Sequence, residues 1–257
     1  MHPRKGRTLR LQVLMVGVRR AREHQLAIEV SISSSPQAVR DASRVVFPGQ
    51  GAMPDCMLYL RESGLEDAVR AAAARQPFMG VCVGMQMMFD RSEEGDIAGL
   101  GIFGGRVRRF TPDDPTLKVP HMGWNEVIQT APHALWQDIA TGERFYFVHS
   151  YFCDPDDPGI TTAATNYAGN FTAAIGRDNI FATQFHPEKS HRAGLQLYRE
   201  QTRRKYIESA LVKLGLQPGV AIVEKKQSGR HYHITALRDP FAETESELLR
   251  TSGLSAQ

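Results

Sequence analysis

The pentapeptide Gly80-Val81-Cys82-Val83-Gly84 constrains the fold of this chain more than any other segment. It begins inside the apolar run Phe78–Val81, which predicts a buried strand, and the residues that follow predict a helix. A cysteine between strand and helix, with a glycine two residues away on each side, predicts a very tight turn, because residues without side chains let the two elements approach closely. A buried strand that turns directly into a helix is typical of α/β proteins.

From Ser43 onward, strand-like and helix-like patterns alternate along the chain. Asp55–Arg75 has apolar residues at helical spacing and ends before Pro77, and Gly84–Asp90 predicts a second helix. Further strands are predicted at Arg44–Phe47, Val107–Phe110, Glu126–Gln129, Phe145–Tyr151, Ile160–Tyr167 and Asn179–Thr183. The pattern predicts an α/β fold with a mostly parallel central sheet flanked by helices on both faces.

Composition excludes several classes of protein. The chain has 257 residues, of which 42% are hydrophobic and 23% charged, as in globular enzymes rather than disordered chains. No apolar run is long enough to cross a bilayer, so we expect no membrane association. The net charge is +3, but the strongest positive surplus lies near the N-terminus and not in the best-patterned segment, which argues against binding of nucleic acid.

The chain has three widely spaced cysteines, Cys56, Cys82 and Cys153. Their number and spacing are those of neither a disulfide framework nor a CxxC metal pair. We therefore expect a reducing, cytoplasmic location. The sequence implies no metal, nucleotide or prosthetic group.

Cys82 is the candidate nucleophile. At the start of a helix, free N–H groups and the positive end of the helix dipole favour a thiolate. The backbone N–H of Val83 is placed to donate to an oxyanion that forms beside Cys82. The alternative is an inert buried cysteine, which is the usual state of a free cysteine.

A cysteine nucleophile needs a base, and the base needs an orienting group. Gln184-Phe185-His186-Pro187-Glu188 follows the last predicted strand and offers both. In extended backbone, His186 and Glu188 point to the same side, so Glu188 can hold the imidazole while its other nitrogen faces Cys82. We predict that these three residues act together.

Pro48-Gly49-Gln50-Gly51 is a turn at the end of the first strand of this alternating segment. Glycines there let the backbone approach a ligand and aim an N–H group at it. Most Pro-Gly pairs are simply turns, but the ends of neighbouring parallel strands converge. We therefore predict that this turn supplies the second donor of an oxyanion hole.

The combination of these segments resembles a known family. The turn at 48–51, the segment Gly80–Gln86 and the segment His186–Glu188 are similar to those of class I (triad) glutamine amidotransferases. His121-Met122-Gly123-Trp124-Asn125, Tyr146–Tyr151 and Gln184–Ser190 narrow the resemblance to the glutaminase-subunit family of imidazole glycerol phosphate synthases. The resemblance covers about residues 43 to 199.

The resemblance implies a Cys82, His186 and Glu188 triad that hydrolyses glutamine through a γ-glutamyl thioester. It implies an oxyanion hole formed by Val83 and by a backbone N–H of the 48–51 turn, from Gln50 or Gly51. Other residues match family positions around the bound glutamine: Gly49, Gly51, Gln86, His149 and Ser150.

The resemblance also implies a partner. In the family, ammonia passes to a (β/α)8-barrel cyclase subunit, which makes imidazole glycerol phosphate and an aminoimidazole carboxamide ribonucleotide in histidine biosynthesis. The family positions that face the cyclase are matched by His121, Met122, Gly123, Trp124, Asn125 and Lys189. Without the resemblance, this stretch would be interpreted as an ordinary loop with one anchoring tryptophan.

The two ends of the chain differ from the family pattern. Residues 1–42 form an atypical basic segment, in which Leu11–Arg20 replaces the family's first strand and glycine-asparagine loop but still contains an apolar run able to form a strand. In the family this loop lies near the cyclase, so the sequence of this segment does not itself predict docking of the cyclase. Residues 43–199 form the amidotransferase domain. Residues 200–257 form a C-terminal extension of unassigned role, with the end of a helix predicted over Ala193–Leu214, a hairpin at 220–236 and a tail.

The residues disfavour three other functions. A triad amidotransferase that serves another pathway is disfavoured by the Met-Gly-Trp-Asn and Val-His-Ser-Tyr stretches. A catalytically silent docking homologue, impaired by its altered N-terminus, is disfavoured by the intact triad. A cysteine protease is disfavoured by Gln86 and by the lack of any signal for a peptide groove.

Overall fold

The computed structural model describes residues 13–17, 29–201, 221–228 and 231–237. The chain divides into two units, residues 1–201 and residues 202–257. In the second unit, β14 (Ala221–Ser228) pairs antiparallel with β15 (His231–Leu237), at the positions where the sequence predicts a hairpin. The predicted tail lies outside the described residues, as does the predicted helix beyond residue 201. The first unit contains the candidate site.

The first unit contains thirteen described strands. They are β1 (Val13–Gly17), β2 (Glu29–Ser33), β3 (Arg44–Gly49), β4 (Phe78–Cys82), β5 (Phe89–Ser92), β6 (Ile97–Ala98), β7 (Phe103–Arg109), β8 (His121–Gln129), β9 (Glu143–His149), β10 (Tyr151–Pro155), β11 (Thr161–Asn166), β12 (Asn170–Arg177) and β13 (Ile180–Thr183). Its helices are α1 (Pro36–Asp41), α2 (Met53–Glu62), α3 (Leu65–Ala73), the one-turn α4 (Val83–Gln86) and α5 (residues 191–201).

The strands form one mixed sheet. Its main path is β2-β1-β3-β4-β13-β12-β10-β7-β5-β6, and β11, β8 and β9 branch from it. The strands β3 and β13 run parallel to β4, as β5 does to β7, whereas the other described pairs are antiparallel. The predicted α/β fold is therefore present, but the prediction of a mostly parallel sheet was wrong. Parallel pairing requires a long crossover, and most of these strands follow one another through short connections instead.

Two predicted helices differ from the structure. The segment Asp55–Arg75 is not one helix, because Gly64 adopts a left-handed conformation (φ 69°) and separates α2 from α3. The helix predicted over Gly84–Asp90 ends after one turn, and the chain continues into β5. The tertiary pairing of β5 with β7 overrides the weak local preference of this short apolar run.

The central strands β4 and β13 are buried along their whole length, so their apolar character is continuous rather than alternating. The helix α3 turns Leu65, Ala68, Val69 and Ala72 toward the interior at helical spacing. Large aromatic side chains fill much of the core, namely Phe47, Phe78, Phe89, Phe103, Phe145, Phe147 and Phe185. A rigid, buried centre thus fixes the strand ends that carry the candidate site.

Within the described parts of the chain, none of the helices combines the length and the apolar character needed to cross a membrane.

Candidate active site

Cys82 lies at a strained turn between β4 and α4. It has φ 55° and ψ −114°, a conformation that residues with side chains rarely adopt. The turn lies tightly against β3, since a Cβ atom on Gly84 would overlap the carbonyl oxygen of Phe47 and one on Gly49 would lie 2.6 Å from the Cβ atom of Val83. Backbone strain at one buried, nucleophilic side chain is typical of a functional residue.

The helix after Cys82 contributes less than the sequence suggests. Because α4 has only four residues, few peptide dipoles are aligned behind the cysteine. Its first residue, Val83, still has an N–H group without an intrahelical acceptor, as expected at a helix start. The N–H of Val83 is therefore still available as the predicted donor, but the helix dipole contributes little at the sulfur of Cys82.

Sheet register brings three strand ends together. In the parallel pair β3–β4, Gly49 lies beside Cys82, and in the parallel pair β4–β13, Thr183 lies beside Val81. The segment that carries His186 begins directly after Thr183. Cys82, the glycine turn and the histidine segment thus converge at one edge of the sheet, as expected for the ends of neighbouring parallel strands.

His186 and Glu188 are in direct contact. Nδ1 of His186 lies 2.7 Å from Oε1 of Glu188, with the imidazole buried and the carboxylate partly exposed. The backbone between them is a 3-10 turn (Pro187–Lys189), so the expectation of an extended segment was wrong although the two side chains do meet. Nε2 of His186 is buried and has no hydrogen bond within the described structure, which leaves it available for Cys82.

The electrostatics of the pair favour an imidazolium. Burial lowers the pKa of His186, but negative charge on the sulfur of Cys82 and on the carboxylate of Glu188 outweighs it and raises this pKa to about 9. Burial raises the pKa of Glu188, but the hydrogen bond with His186 reverses this and lowers it below its usual value. An imidazolium beside the sulfur favours the ionised, nucleophilic form of the cysteine.

The segment that carries His186 is fastened to β9. The N–H of His186 donates to the carbonyl of Tyr146 (2.9 Å), and the N–H of Tyr146 donates to Oγ of Ser190 (3.1 Å). The hydroxyl of Ser190 then donates to the carbonyl of His186 (2.6 Å). These three bonds hold the histidine backbone at the end of its strand.

The turn at 48–51 combines a buried and an exposed part. Gly49 is buried against Val83, whereas Gln50 and Gly51 are exposed, and Gly51 has φ 90°. The thiol of Cys56 donates to the carbonyl of Gln50 across 3.3 Å. The structure thus places Gly49 beside the Cys82 turn, and Gln50 and Gly51 follow it in the chain.

The predicted glutamine-contacting residues on other elements lie close by. Gln86 is buried on α4, and its Nε2 donates to the carbonyl of Tyr151 (2.9 Å) and to Oε1 of Gln184 (3.2 Å). His149 ends β9 and is buried, and Ser150 follows it in a half-buried position. Nδ1 of His149 reaches the same Tyr151 carbonyl at 2.8 Å. The carbonyl of Tyr151 therefore accepts hydrogen bonds from both Gln86 and His149.

His149 continues into a chain of neutral groups. Nδ1 of His121 lies 3.0 Å from Nε2 of His149, and Nδ2 of Asn125 lies 3.2 Å from Nε2 of His121. Oδ1 of Asn125 accepts the N–H of Glu126, so its Nδ2 is the donor toward His121. Each histidine then carries its proton on Nδ1. Burial lowers the pKa of His121 to about 4 and that of His149 to about 3, which keeps both rings neutral.

Of the residues expected to face a cyclase, Met122, Trp124 and Lys189 are exposed, whereas His121 is buried and is not presented at the surface as expected. His121–Asn125 belong to the strand β8 and not to a loop, with Met122 63% exposed and Trp124 42% exposed. Gly123 lies between them at φ 131°. Trp124 stacks on His191 at 4.9 Å, and its ring also meets Tyr146 edge-on. Nζ of Lys189 lies 5.5 Å from the centre of the Tyr146 ring. Met122, Trp124 and Lys189 form what we call the β8 surface.

Sequence reasoning assigned no role to three residues that build the site. Tyr146 and Ser190 fasten the histidine segment, and Gln184 lies against the sulfur of Cys82, with its Nε2 at 3.8 Å from Sγ. Gln184 could have been identified from the sequence as a candidate site residue, because it stands two residues before His186.

Among the described residues, no group of three or more His, Cys, Asp and Glu side chains is placed to hold a metal ion.

Comparison with known proteins defines the class. Residues 5–203 match the family described as glutamine amidotransferase class-I, and the chain belongs to that family. The fold agrees. A solved structure from Thermoplasma acidophilum, described as part of a putative GMP synthase, has a TM-score of 0.52 at 17% identity, covering 69% of this chain and 80% of that one. A second solved structure, described as a glutamine amidotransferase, has a TM-score of 0.50 at 16% identity and covers 65% and 82%.

Curated relatives define the particular branch. Imidazole glycerol phosphate synthase subunit HisH of Dechloromonas aromatica is 59% identical over 176 residues, which are 66% of this chain and 81% of that protein. The subunit of the same name in Chromobacterium violaceum is 56% identical over 173 residues, which are 66% and 82%. The chain belongs to the family of HisH subunits.

Proposed function

We propose that this chain is the glutaminase subunit of an imidazole glycerol phosphate synthase and that it supplies ammonia for histidine biosynthesis. The observation that carries the proposal is the convergence of Cys82 with the hydrogen-bonded pair His186 and Glu188 (2.7 Å) at neighbouring parallel strand ends. The level of identity to HisH subunits supports the choice of this branch.

In the proposed reaction, the sulfur of Cys82 attacks the side-chain amide carbon of glutamine. The N–H of Val83 and a backbone N–H of the turn at Gln50 and Gly51 stabilise the oxyanion that forms. His186 gives its proton to the leaving nitrogen, so ammonia departs and a γ-glutamyl thioester remains. His186 then takes a proton from water, which attacks the thioester and releases glutamate and the free cysteine.

Glu188 holds the imidazole of His186 with Nε2 toward the sulfur and stabilises its protonated form. Gln86, His149, Ser150, Gly49 and Gly51 are proposed to surround the glutamine. Gln86 uses its amide nitrogen within the protein, which leaves its carbonyl oxygen to accept from the substrate.

The proposed partner is a (β/α)8-barrel cyclase subunit that receives the ammonia. The β8 surface supports this, since Met122 and Trp124 are exposed side by side, and Glu126 is the one polar residue among the four exposed positions of β8. Aromatic residues and methionine are enriched at protein interfaces. The cysteines of the chain are free, and a cytoplasmic location remains our expectation.

The experiment that tests the proposal measures glutamate formed from glutamine by the full chain, with and without a purified cyclase subunit and its ribonucleotide ligand. Strong stimulation by the partner is expected, and the Cys82→Ala variant serves as the blank. If the partner gives no stimulation while a glutamine-like affinity label still alkylates Cys82, the chain is a silent docking homologue and the proposed function is wrong.

A further inference from the structure

The amide of Gln184 is directed at the sulfur of Cys82. Gln184 follows β13 immediately and is fully buried, and its backbone N–H donates to the carbonyl of Ala173 at 2.8 Å. Its side-chain Nε2 lies 3.8 Å from Sγ of Cys82. A buried amide so placed has a fixed backbone and little freedom to turn away.

Gln86 determines which end of the Gln184 amide faces the sulfur of Cys82. The carbonyl of Tyr151 can only accept, so the atom of Gln86 that contacts it at 2.9 Å is the amide nitrogen. The same nitrogen lies 3.2 Å from the Gln184 side chain, whose oxygen must therefore face Gln86. The N–H group of Gln184 is then left facing the sulfur. The hydrogen-bond network thus excludes the flipped amide.

The other ionisable groups that act on Cys82 leave room for such a donor. His186 is a charged neighbour of Cys82, while Cys56 and Cys153 stay uncharged near neutral pH because burial raises the pKa of each thiol. The helix α4 is a single turn, so its dipole is weak. A neutral N–H donor stabilises a thiolate at every pH and adds no titrating group.

We propose that Gln184 is a further catalytic residue, which donates a hydrogen bond to the thiolate of Cys82 and holds the sulfur for attack. Gln86 acts as a positioning residue for it by fixing the orientation of its amide. This inference rests on the proposed role of Cys82 as the nucleophile.

The test measures how fast iodoacetamide alkylates Cys82 in the full chain between about pH 5 and about pH 9, since the thiolate is the reacting form. Mass spectrometry of peptides separates Cys82 from Cys56 and Cys153. Burial raises the pKa of Cys56 to about 11 and that of Cys153 well above its usual value, so both react slowly over this range.

Two variants remove the donor in different ways. Gln184→Met has a similar length and no hydrogen bond, and the pH midpoint of alkylation should rise by about one unit, as expected for a lost hydrogen bond to a charged group. Gln184→Glu keeps an acceptor for Gln86 but presents a carboxylate to the sulfur, and its midpoint should rise further. Gln76→Met is the matched control, because that amide donates to the carbonyl of Arg40 away from the site, and its midpoint should not move.

The outcomes separate the two proposals. If wild-type Cys82 reacts no faster than Cys56 and Cys153 at neutral pH, the nucleophile assignment and hence the proposed function fail. If wild-type Cys82 reacts fast but both Gln184 variants, verified as folded by circular dichroism, keep the wild-type midpoint, Gln184 is a structural residue and this inference is overturned. If the pH midpoint shifts in Gln184→Glu but not in Gln184→Met, the shift reflects the added charge, and this inference is likewise overturned.

Discussion

Nδ1 of His121 lies 3.0 Å from Nε2 of His149, and this contact joins the strand that carries the β8 surface to the strand that ends at the candidate glutamine site. Both rings are buried and neutral. His121 also stacks on Tyr167, with ring centres 4.0 Å apart. A buried pair that cannot accept protons has a direct consequence for stability at low pH.

The free energy of unfolding should fall when the pH is lowered from about 6.5 to about 5. In the folded chain the pKa of His121 is lowered to about 4 and that of His149 to about 3, whereas both take up protons near pH 6.5 once unfolded. The unfolded state therefore binds more protons and is favoured, by about 2 kcal/mol for each histidine. Urea unfolding at the two pH values measures this loss.

The control for that prediction is His121→Phe, in which an aromatic ring can keep the stacking on Tyr167 but cannot titrate. Its pH-dependent loss should be about half that of the wild type, since one of two groups is removed. Equal stability of the wild type at both pH values would contradict the assignment of two buried neutral histidines.

Cys82→Ala should reduce glutaminase activity by a factor of at least about 10⁴, because alanine cannot form a thioester. The thermal midpoint of unfolding should change little. Cys153→Ala is the comparison, since it removes another buried thiol and should remain active even if it is less stable. Turnover by Cys82→Ala near the wild-type rate would exclude Cys82 as the nucleophile.

Glu188→Gln should lower kcat by about a hundredfold and leave the KM for glutamine similar, since the carboxylate acts on His186 rather than on the substrate. The carboxylate raises the pKa of His186, so this pKa should fall in the variant and the alkaline limb of the activity profile should move to lower pH. Steady-state kinetics as a function of pH checks both effects. Glu62→Gln, an exposed position on α2, is the matched control. A change in KM alone would remove Glu188 from the triad.

Trp124→Ala should weaken binding to the cyclase subunit, raising the Kd by about thirtyfold, as is typical of a central interface tryptophan. Its ring is 42% exposed and stacked on His191, so it is presented in a fixed orientation. Calorimetric titration measures the Kd, while the alkylation rate of Cys82 in the isolated chain should stay the same. Leu58→Ala, at a 55% exposed leucine of α2, should bind normally. Unchanged affinity of Trp124→Ala would place the interface elsewhere.

Ser190→Ala should loosen the segment that carries His186. The hydroxyl accepts the N–H of Tyr146 and donates to the carbonyl of His186. Its removal leaves the N–H of Tyr146 without that partner, while the carbonyl of His186 keeps only the N–H of Lys189 at 3.1 Å. A loss of about 2 kcal/mol in the free energy of unfolding is expected, together with a reduced kcat. Ser190→Thr keeps the hydroxyl and should restore both. If Ser190→Ala retains full stability and kcat, the fastening described above has no functional role.

The local features of the site were predictable from the sequence because each depends on neighbours in the chain. Cys82 needs Gly84 close by to leave space for the Phe47 carbonyl, and the contact between His186 and Glu188 spans two residues. The contact forms even though the segment is a 3-10 turn, since both geometries bring these side chains together.

Features that depend on distant pairing were not predictable. Hydrophobic periodicity reports whether one or both faces of a strand are buried and fixes strand direction only indirectly, so a mostly parallel sheet was expected where the sheet is mixed. The break at Gly64 lies within an amphipathic pattern that continues across it. The hydrogen bonds that join Gln86 to Gln184 and Tyr146 to Ser190 connect residues far apart in sequence, so these contacts were not predictable even where the residues themselves lie in recognisable motifs.

The bond between Cys56 and Gln50 has a consequence for how the site adjusts. A thiol is a weak donor, so the Gln50 carbonyl it holds can rotate at small cost. Gly84, in contrast, fits against Phe47 without space for one additional carbon atom. A change in backbone orientation near Cys82 therefore costs less free energy at Gln50 than at Gly84.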